Sequence, residues 1–306
     1  MIDGIPILVA ELRHYVAQNL AAIQARDDLA ADLESLIGDC CGPGSLFDAQ
    51  RQHLSTYGFD HYGDHDPLEP PDASPRPGAV ARLLHQGLER MGPLPAAPLL
   101  DLGCSVGRTS FELAARASGP VLGIDLNFGM LRLARTILEQ GRCRYPKRRI
   151  GMVFERREFP LRFAGGERLD FWVCDATNLP FADGLFGALF SLNLLDCVPD
   201  PYRHLQEIAR LLPTGGQALL ATPFDWSAAA TAPEAWIGGH SQRGENRGAA
   251  EPLLRALLTP GAHPHALAGL ELPSPPWETP WGLRLHDRSA MHYQVYTLLL
   301  RKDTGA

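Results

Sequence analysis

The chain has 306 residues, 45% hydrophobic and 21% charged, enough for one large domain or a domain with an attached cap, and too apolar for wholesale disorder. Its net charge of −7 argues against a nucleic-acid or anionic-membrane partner. No basic segment followed by an apolar core opens it and no apolar run approaches ~18 residues, so the expected location is cytoplasmic.

Residues 5 to 38 place Leu8, Leu12, Tyr15, Val16, Leu20 and Ile23, then Leu29, Leu33, Leu36 and Ile37, at helical spacing. The pattern predicts two amphipathic helices, the second ended by Gly38. Residues 1–50 therefore read as a helical extension that packs on the core, closes over a pocket or joins a homo-oligomer. The stretch from Leu54 to Gly63 is rich in aromatics and histidine and runs into the proline-dense Asp66 to Pro77, which excludes regular structure. Tyr57 and Tyr62 fit either a polar-tipped lid or a surface loop with half-buried rings. A metal at His61 to Asp66 would lack a second ligand pair, and the six cysteines show neither C-x-x-C spacing nor a Cys/His cluster. No metal is expected. A helix from Gly78 to Met91 completes a lid-and-linker segment, 51–96.

From Leu99 onward strands and helices alternate. Strands are predicted at Leu99–Leu102, Val121–Asp125, Leu169–Asp175, Leu185–Leu192 and Gln217–Thr222, with helices at Thr109–Ala117, Gly129–Gln140 and Pro201–Leu212 between them. Alternation implies a parallel sheet covered on both faces. Gly282–His286 and Tyr293–Leu300 add a reversed hairpin at the end of this 97–306 domain. One insertion, about 142–168, interrupts the pattern. Between 142 and 162 it carries eight basic residues against Glu155 and Glu158. Such a run reads as a solvated, mobile face, or as the source of one arginine for an acceptor carboxylate.

The apolar run Leu99-Leu100 ends in Asp101, crosses Gly103-Cys104-Ser105-Val106-Gly107 and enters a helix. This is not the dinucleotide G-x-G-x-x-G, and a carboxylate at Asp101 would repel phosphate. It suits a cationic amino-acid ligand. Asp125, followed by Leu126, stands where an acid grips ribose hydroxyls. Asp175-Ala176 ends the third strand, in place to meet an adenine ring. Asn193 and Asp196 follow the fourth, beside the position of a transferring group. The four strand ends together describe an S-adenosylmethionine pocket.

Residues 97 to 225 resemble class I S-adenosylmethionine-dependent methyltransferases, with Asp101-x-Gly103-x-x-x-Gly107 as their first motif. Over roughly 54 to 302 the chain is similar to the N-methyltransferases of ovothiol (5-thiohistidine) biosynthesis and their selenium-analogue relatives. The segments that carry this are Glu139-Gln-Gly-x-x-x-Tyr145, Asn193-Leu-Leu-Asp196, Thr222-Pro-Phe-Asp-Trp226 and Glu234-Ala-Trp-Ile-Gly-Gly239. The resemblance implies a Rossmann-like α/β fold with a seven-stranded, mostly parallel sheet, a reversed C-terminal hairpin and an N-terminal helical cap. It implies S-adenosylmethionine held by Asp101, Gly103, Cys104, Ser105, Gly107, Asp125, Leu126, Asp175, Ala176 and Asn193. Asn193 and Asp196 become the catalytic candidates. Tyr57, Tyr62, Asp225, Trp226, Trp236, His240, Arg284, His292 and Tyr293 become candidates for a small acceptor, an imidazole amino acid, with Arg284 clamping its carboxylate. An O- or C-methyltransferase of another small metabolite, and a catalytically silent cofactor-binding module, are the alternative readings.

Overall fold

The computed structural model describes residues 8–24, 26 and 29–303; residues 1–7, 25, 27 and 28 of the expected extension lie outside them. Helices α1 (Leu12–Gln18), α2 (Leu20–Gln24) and α3 (Ala31–Cys41) close a small core of their own around Val16, Ile23, Leu29 and Ile37. Two helices were expected and three form among the described residues. Helix α3 continues through Gly38 and stops at Gly42, whose φ of 79° is left-handed geometry that glycine adopts without a Cβ clash.

Helix α4 (Leu46–Tyr62) starts at Ser45, whose hydroxyl accepts from the Asp48 N–H. The aromatic stretch expected as a loop or lid is the second half of this helix, and the boundary expected at residue 50 falls inside it. Its buried positions include Ser55, Gly58, Asp60 and His61 beside Phe59 and Tyr62, so its inner face is too polar to announce a helix by hydrophobic period. After the proline-rich segment, α5 (Ala79–Met91) leads to β1 (Leu99–Leu102), α6 (Arg108–Ala114), β2 (Val121–Asp125) and α7 (Phe128–Gln140).

The basic insertion is more than a solvated face. It forms β3 (Arg142–Ile150) and β4 (Val153–Pro160), an antiparallel hairpin separate from the main sheet. Cys143, Tyr145, Arg157 and Phe159 are buried, alternating with outward arginines at the period of two that a strand imposes. The Tyr145 ring packs where a side chain at Gly58 of α4 would stand, 2.7 Å from its ideal Cβ. Arg157 is 4% exposed; its Nε donates to Asp66 Oδ2 at 2.6 Å and its Nη2 to Glu69 at 3.4 Å. These bonds tie the hairpin to the proline-rich segment.

The chain continues through β5 (Leu169–Val173), β6 (Ala188–Leu192), α8 (Pro201–Leu211), β7 (Gln217–Thr222), α9 (Ala250–Leu257), β8 (Leu270–Glu271), β9 (Trp277–His286) and β10 (Ser289–Lys302). The sheet order is β5-β2-β1-β6-β7-β10-β8, with β9 also on β10. The strands from β5 to β7 run parallel; β8 and β9 pair β10 antiparallel, as β10 does β7. The expected seven strands become eight, because two-residue β8 pairs the end of β10. Every residue of β1 is buried, and separate apolar clusters cover the two faces. This is the Rossmann-like α/β fold. Strand order reverses beside β1, which opens a crevice at the carboxyl ends of β1, β2 and β6.

Removing one partner of a buried ion pair leaves the other charge uncompensated. Arg157→Met should lower unfolding free energy by about 3 kcal/mol in urea titration, whereas the exposed Arg142→Met should leave the midpoint in place. Equal midpoints for both variants would show that the hairpin is not anchored through Arg157.

Candidate active site

The crevice holds a cavity of about 390 Å³. The turn after β1 makes its inner wall, with Gly103, Ser105 and Gly107 all at positive φ (70°, 54° and 91°). A Cβ at Gly103 would meet Leu194 at 2.7 Å, and one at Gly107 would meet Ala134 and Phe171 at 2.8 Å. Ser105 carries the same geometry without being glycine, a strain of about 1 kcal/mol or more that neighbouring bonds must offset. Its N–H donates to Asp125 Oδ2 at 2.9 Å and its hydroxyl reaches Met130 Sδ at 3.2 Å.

Asp125 accepts from the Asn127 N–H through Oδ1 at 2.7 Å as well. Each oxygen keeps a free lone-pair direction for a hydroxyl donor. Burial raises this carboxyl and the backbone donors oppose the rise. Asp101, 1% exposed, takes both the Thr109 and Ser110 hydroxyls on Oδ2, at 2.5 and 2.6 Å. Desolvation nevertheless pushes it up to about 6. A cationic ligand in the cavity would restore the charge that burial disfavours. At the rim Asp175 accepts from the Thr177 N–H and hydroxyl. Ala176 beside it is fixed through its carbonyl, 3.1 Å from Nδ1 of His204, whose Nε2 lies 2.9 Å from Ser191 Oγ.

At the end of β6, Asn193 has φ of 57° and donates its N–H to Ala221 O at 2.8 Å. Both atoms of its carboxamide are buried with no partner among the described residues, a desolvation cost that a bound molecule would relieve. Asp196 stands behind it, off the cavity wall. Its Oδ2 accepts from the Asp225 N–H at 2.6 Å while Oδ1 is buried and unpaired, and burial raises the carboxyl.

Helix α4 supplies the opposite wall through His53, Tyr57 and His61, spaced four apart on one helical face. His53 was not singled out in the sequence and His61 was weighed only as a metal ligand, because the stretch was not taken as a helix. His61 Nδ1 accepts from the Arg108 N–H at 3.2 Å, so the ring proton sits on Nε2. Desolvation and then the Arg108 charge hold it down to about 3, neutral throughout the physiological range. Burial raises the Tyr57 phenol far above its ordinary value. Trp281 of β9 also lines the cavity and was missed; only the fold brings the hairpin here. Its Nε1 donates to Asp60 Oδ2 at 3.1 Å and it stacks on Tyr293 at 5.4 Å. The Tyr293 hydroxyl donates to Asp225 Oδ2 at 2.8 Å, which carries the contact back to Asp196.

The cavity thus gathers Tyr57, Asp101, Gly103, Cys104, Ser105, Asp125, Leu126, Asp175, Ala176 and Asn193. Gly107 caps α6 and is not part of the lining. Tyr62 is fully buried with its hydroxyl on Val106 O at 2.5 Å, which removes it from any lid. Trp226 and Trp236 stack on each other at 6.0 Å away from the lining, and His240 and His292 are exposed. Arg284 is not the clamp expected of it. It is buried over the Phe59 ring at 4.0 Å, with Nη1 3.3 Å from Asp287, and no arginine or lysine lines the cavity among the described residues.

Asp101 titrates near 6 when folded and near ~3.9 when unfolded, so between those values the folded state binds more protons and loses stability as pH rises. Asp101→Asn should therefore stabilise the free protein at pH 7, by about 2 kcal/mol at most, and by less at pH 5. Urea titrations at the two pH values check this; a variant less stable at pH 7 would contradict it.

The sequence matches the methyltransferase-domain family model over residues 100–220. The chain is 26% identical over 200 residues to methyltransferase GfsG of Streptomyces halstedii, a match covering 60% of this chain and 63% of that protein. It is 25% identical over 183 residues to O-methyltransferase rstn1 of Aspergillus nomiae, covering 59% and 71%. It is 31% identical over 152 residues to an arsenite methyltransferase of Aquipseudomonas alcaligenes, covering 49% and 39%. The matched segment runs from β1 through β7 and contains the glycine turn, Asp125, Asp175 and Asn193. Residues 100–220 are a class I S-adenosylmethionine-dependent methyltransferase domain.

Proposed function

We propose that the chain methylates a small molecule with S-adenosylmethionine, and that the acceptor is an imidazole amino acid of the thio- or selenohistidine type, methylated on nitrogen. The unpaired carboxamide of Asn193 carries this reading. Its Oδ1, buried and unmet at the end of β6, suits the N–H of an azole ring, an arrangement that leaves the lone pair of the other ring nitrogen free to attack the methyl group. Asp125 is shaped for the ribose hydroxyls and Asp101 for the methionine ammonium. When bound, the cofactor supplies an electrophilic methyl group.

The chain's own contribution is placement and exclusion of water. His61 and Tyr57 are both held in their proton-bearing forms, so from α4 they donate hydrogen bonds rather than remove protons. That favours a nucleophile whose lone pair is free near pH 7, as in neutral imidazole, over a phenol that must first lose a proton. With no guanidinium in the lining, the acceptor carboxylate falls to the His61 Nε2–H and the Tyr57 hydroxyl. We extend the proposal to a cytoplasmic protein that engages neither nucleic acid nor membrane and self-associates through its N-terminal helices.

A second reading, O-methylation, is supported by relatives named O-methyltransferases. Incubating the protein with S-adenosylmethionine and a panel of imidazoles, thioimidazoles and phenols separates the two by mass spectrometry. A one-methyl mass gain on thiohistidine alone supports the first reading; a gain on phenols alone replaces it with the second. Asp125→Ala should weaken S-adenosylmethionine about tenfold or more in calorimetric titration, from loss of a charged hydrogen-bond acceptor. Unchanged affinity would refute the ribose assignment.

A further inference from the structure

We propose a second binding site, for an organic anion with an apolar body, in the cavity of about 610 Å³ between α4, α7 and the β3–β4 hairpin. Helix α4 divides the two cavities. It turns His53, Tyr57 and His61 to the first, and Phe47, Gln50, Arg51 and Leu54 to the second. Among the described residues the two spaces share only Leu126 and Asn127, just beyond Asp125, so the second lies at the ribose side of the first and away from Asn193.

Its lining is strongly basic. Among the described residues around it Glu34 is the one carboxylate, and it already bonds Arg144 at 2.5 Å and Arg156 at 2.7 Å. Two donors are left unmet. Arg156 Nε is buried without a partner. Arg51 makes no hydrogen bond among the described residues; its guanidinium lies 4.0 Å over the Phe154 ring and 5.4 Å from Phe47. Burial disfavours its charge. The remaining wall is apolar: Leu54, Leu133 and Phe128, the last 67% exposed for want of a covering group. Unmet guanidinium donors over apolar surface recognise a carboxylate, sulfonate or phosphate attached to a hydrophobic body.

The probe is anilinonaphthalene sulfonate, with uncharged phenylnaphthylamine as its control. Both are titrated by fluorescence into the full chain with and without saturating S-adenosylhomocysteine. Saturable sulfonate binding should persist beside the homocysteine compound, and should weaken about tenfold in Arg51→Met. The exposed Gln50→Glu should weaken it in the same direction without risk to the fold, by adding a carboxylate to the wall. The uncharged control should bind all three proteins alike. Displacement of the sulfonate by S-adenosylhomocysteine, or equal binding by wild type and both variants, would overturn the site. Failure of S-adenosylhomocysteine to bind would strike the cofactor assignment and leave the variant comparison standing.

Discussion

Two backbone N–H groups, from Ser105 and Asn127, converge on the carboxylate of Asp125, and the geometry of the whole site follows from that convergence. The first bond holds the glycine turn in a left-handed conformation that Ser105 would not keep by itself. The second fixes the approach to α7, where the Asn127 side chain caps the helix. One charged group at a strand end thereby sets the loop from β1, the start of α7 and the wall shared by two cavities. Burial of its neighbour Asp101 disfavours the charged carboxylate, a cost that a bound cation would offset.

Helix α4 and the terminal hairpin complete the site through polar contacts. Asp60 accepts from Trp281, Trp281 stacks on Tyr293, and Tyr293 donates to Asp225, whose backbone N–H reaches Asp196. One chain of contacts thus joins α4 and the terminal hairpin to the residues after β6. The basic hairpin serves a different purpose from the expected one, anchoring the proline-rich segment through Arg157 and closing the second cavity.

The half of the site built from consecutive residues was legible in the sequence. A buried strand, an acid and a glycine turn specify their own backbone, so Asp101, Gly103, Ser105, Asp125 and Asp175 could be placed from local pattern alone. Asn193 followed because alternation located the fourth strand. Helix α4 was hidden because its inward face carries Ser55, Gly58, Asp60 and His61 in place of aliphatic side chains. Once α4 is a helix, His53, Tyr57 and His61 fall on one face, and Tyr62 turns into the core. Trp281 and Arg284 could not be sorted locally. They stand four and seven residues after the start of the same strand, and long-range packing alone sends one ring to the cavity and one guanidinium onto Phe59.

The central claim is that this acid-lined cavity holds S-adenosylmethionine with its sulfonium end toward Asn193. A crystal structure of the protein with S-adenosylhomocysteine tests it most directly. The account predicts ribose hydroxyls on both oxygens of Asp125, the amino group at Asp101, and the sulfur facing the Asn193 carboxamide. Density for the ligand elsewhere, or in this cavity with the sulfur turned away from Asn193, would contradict it.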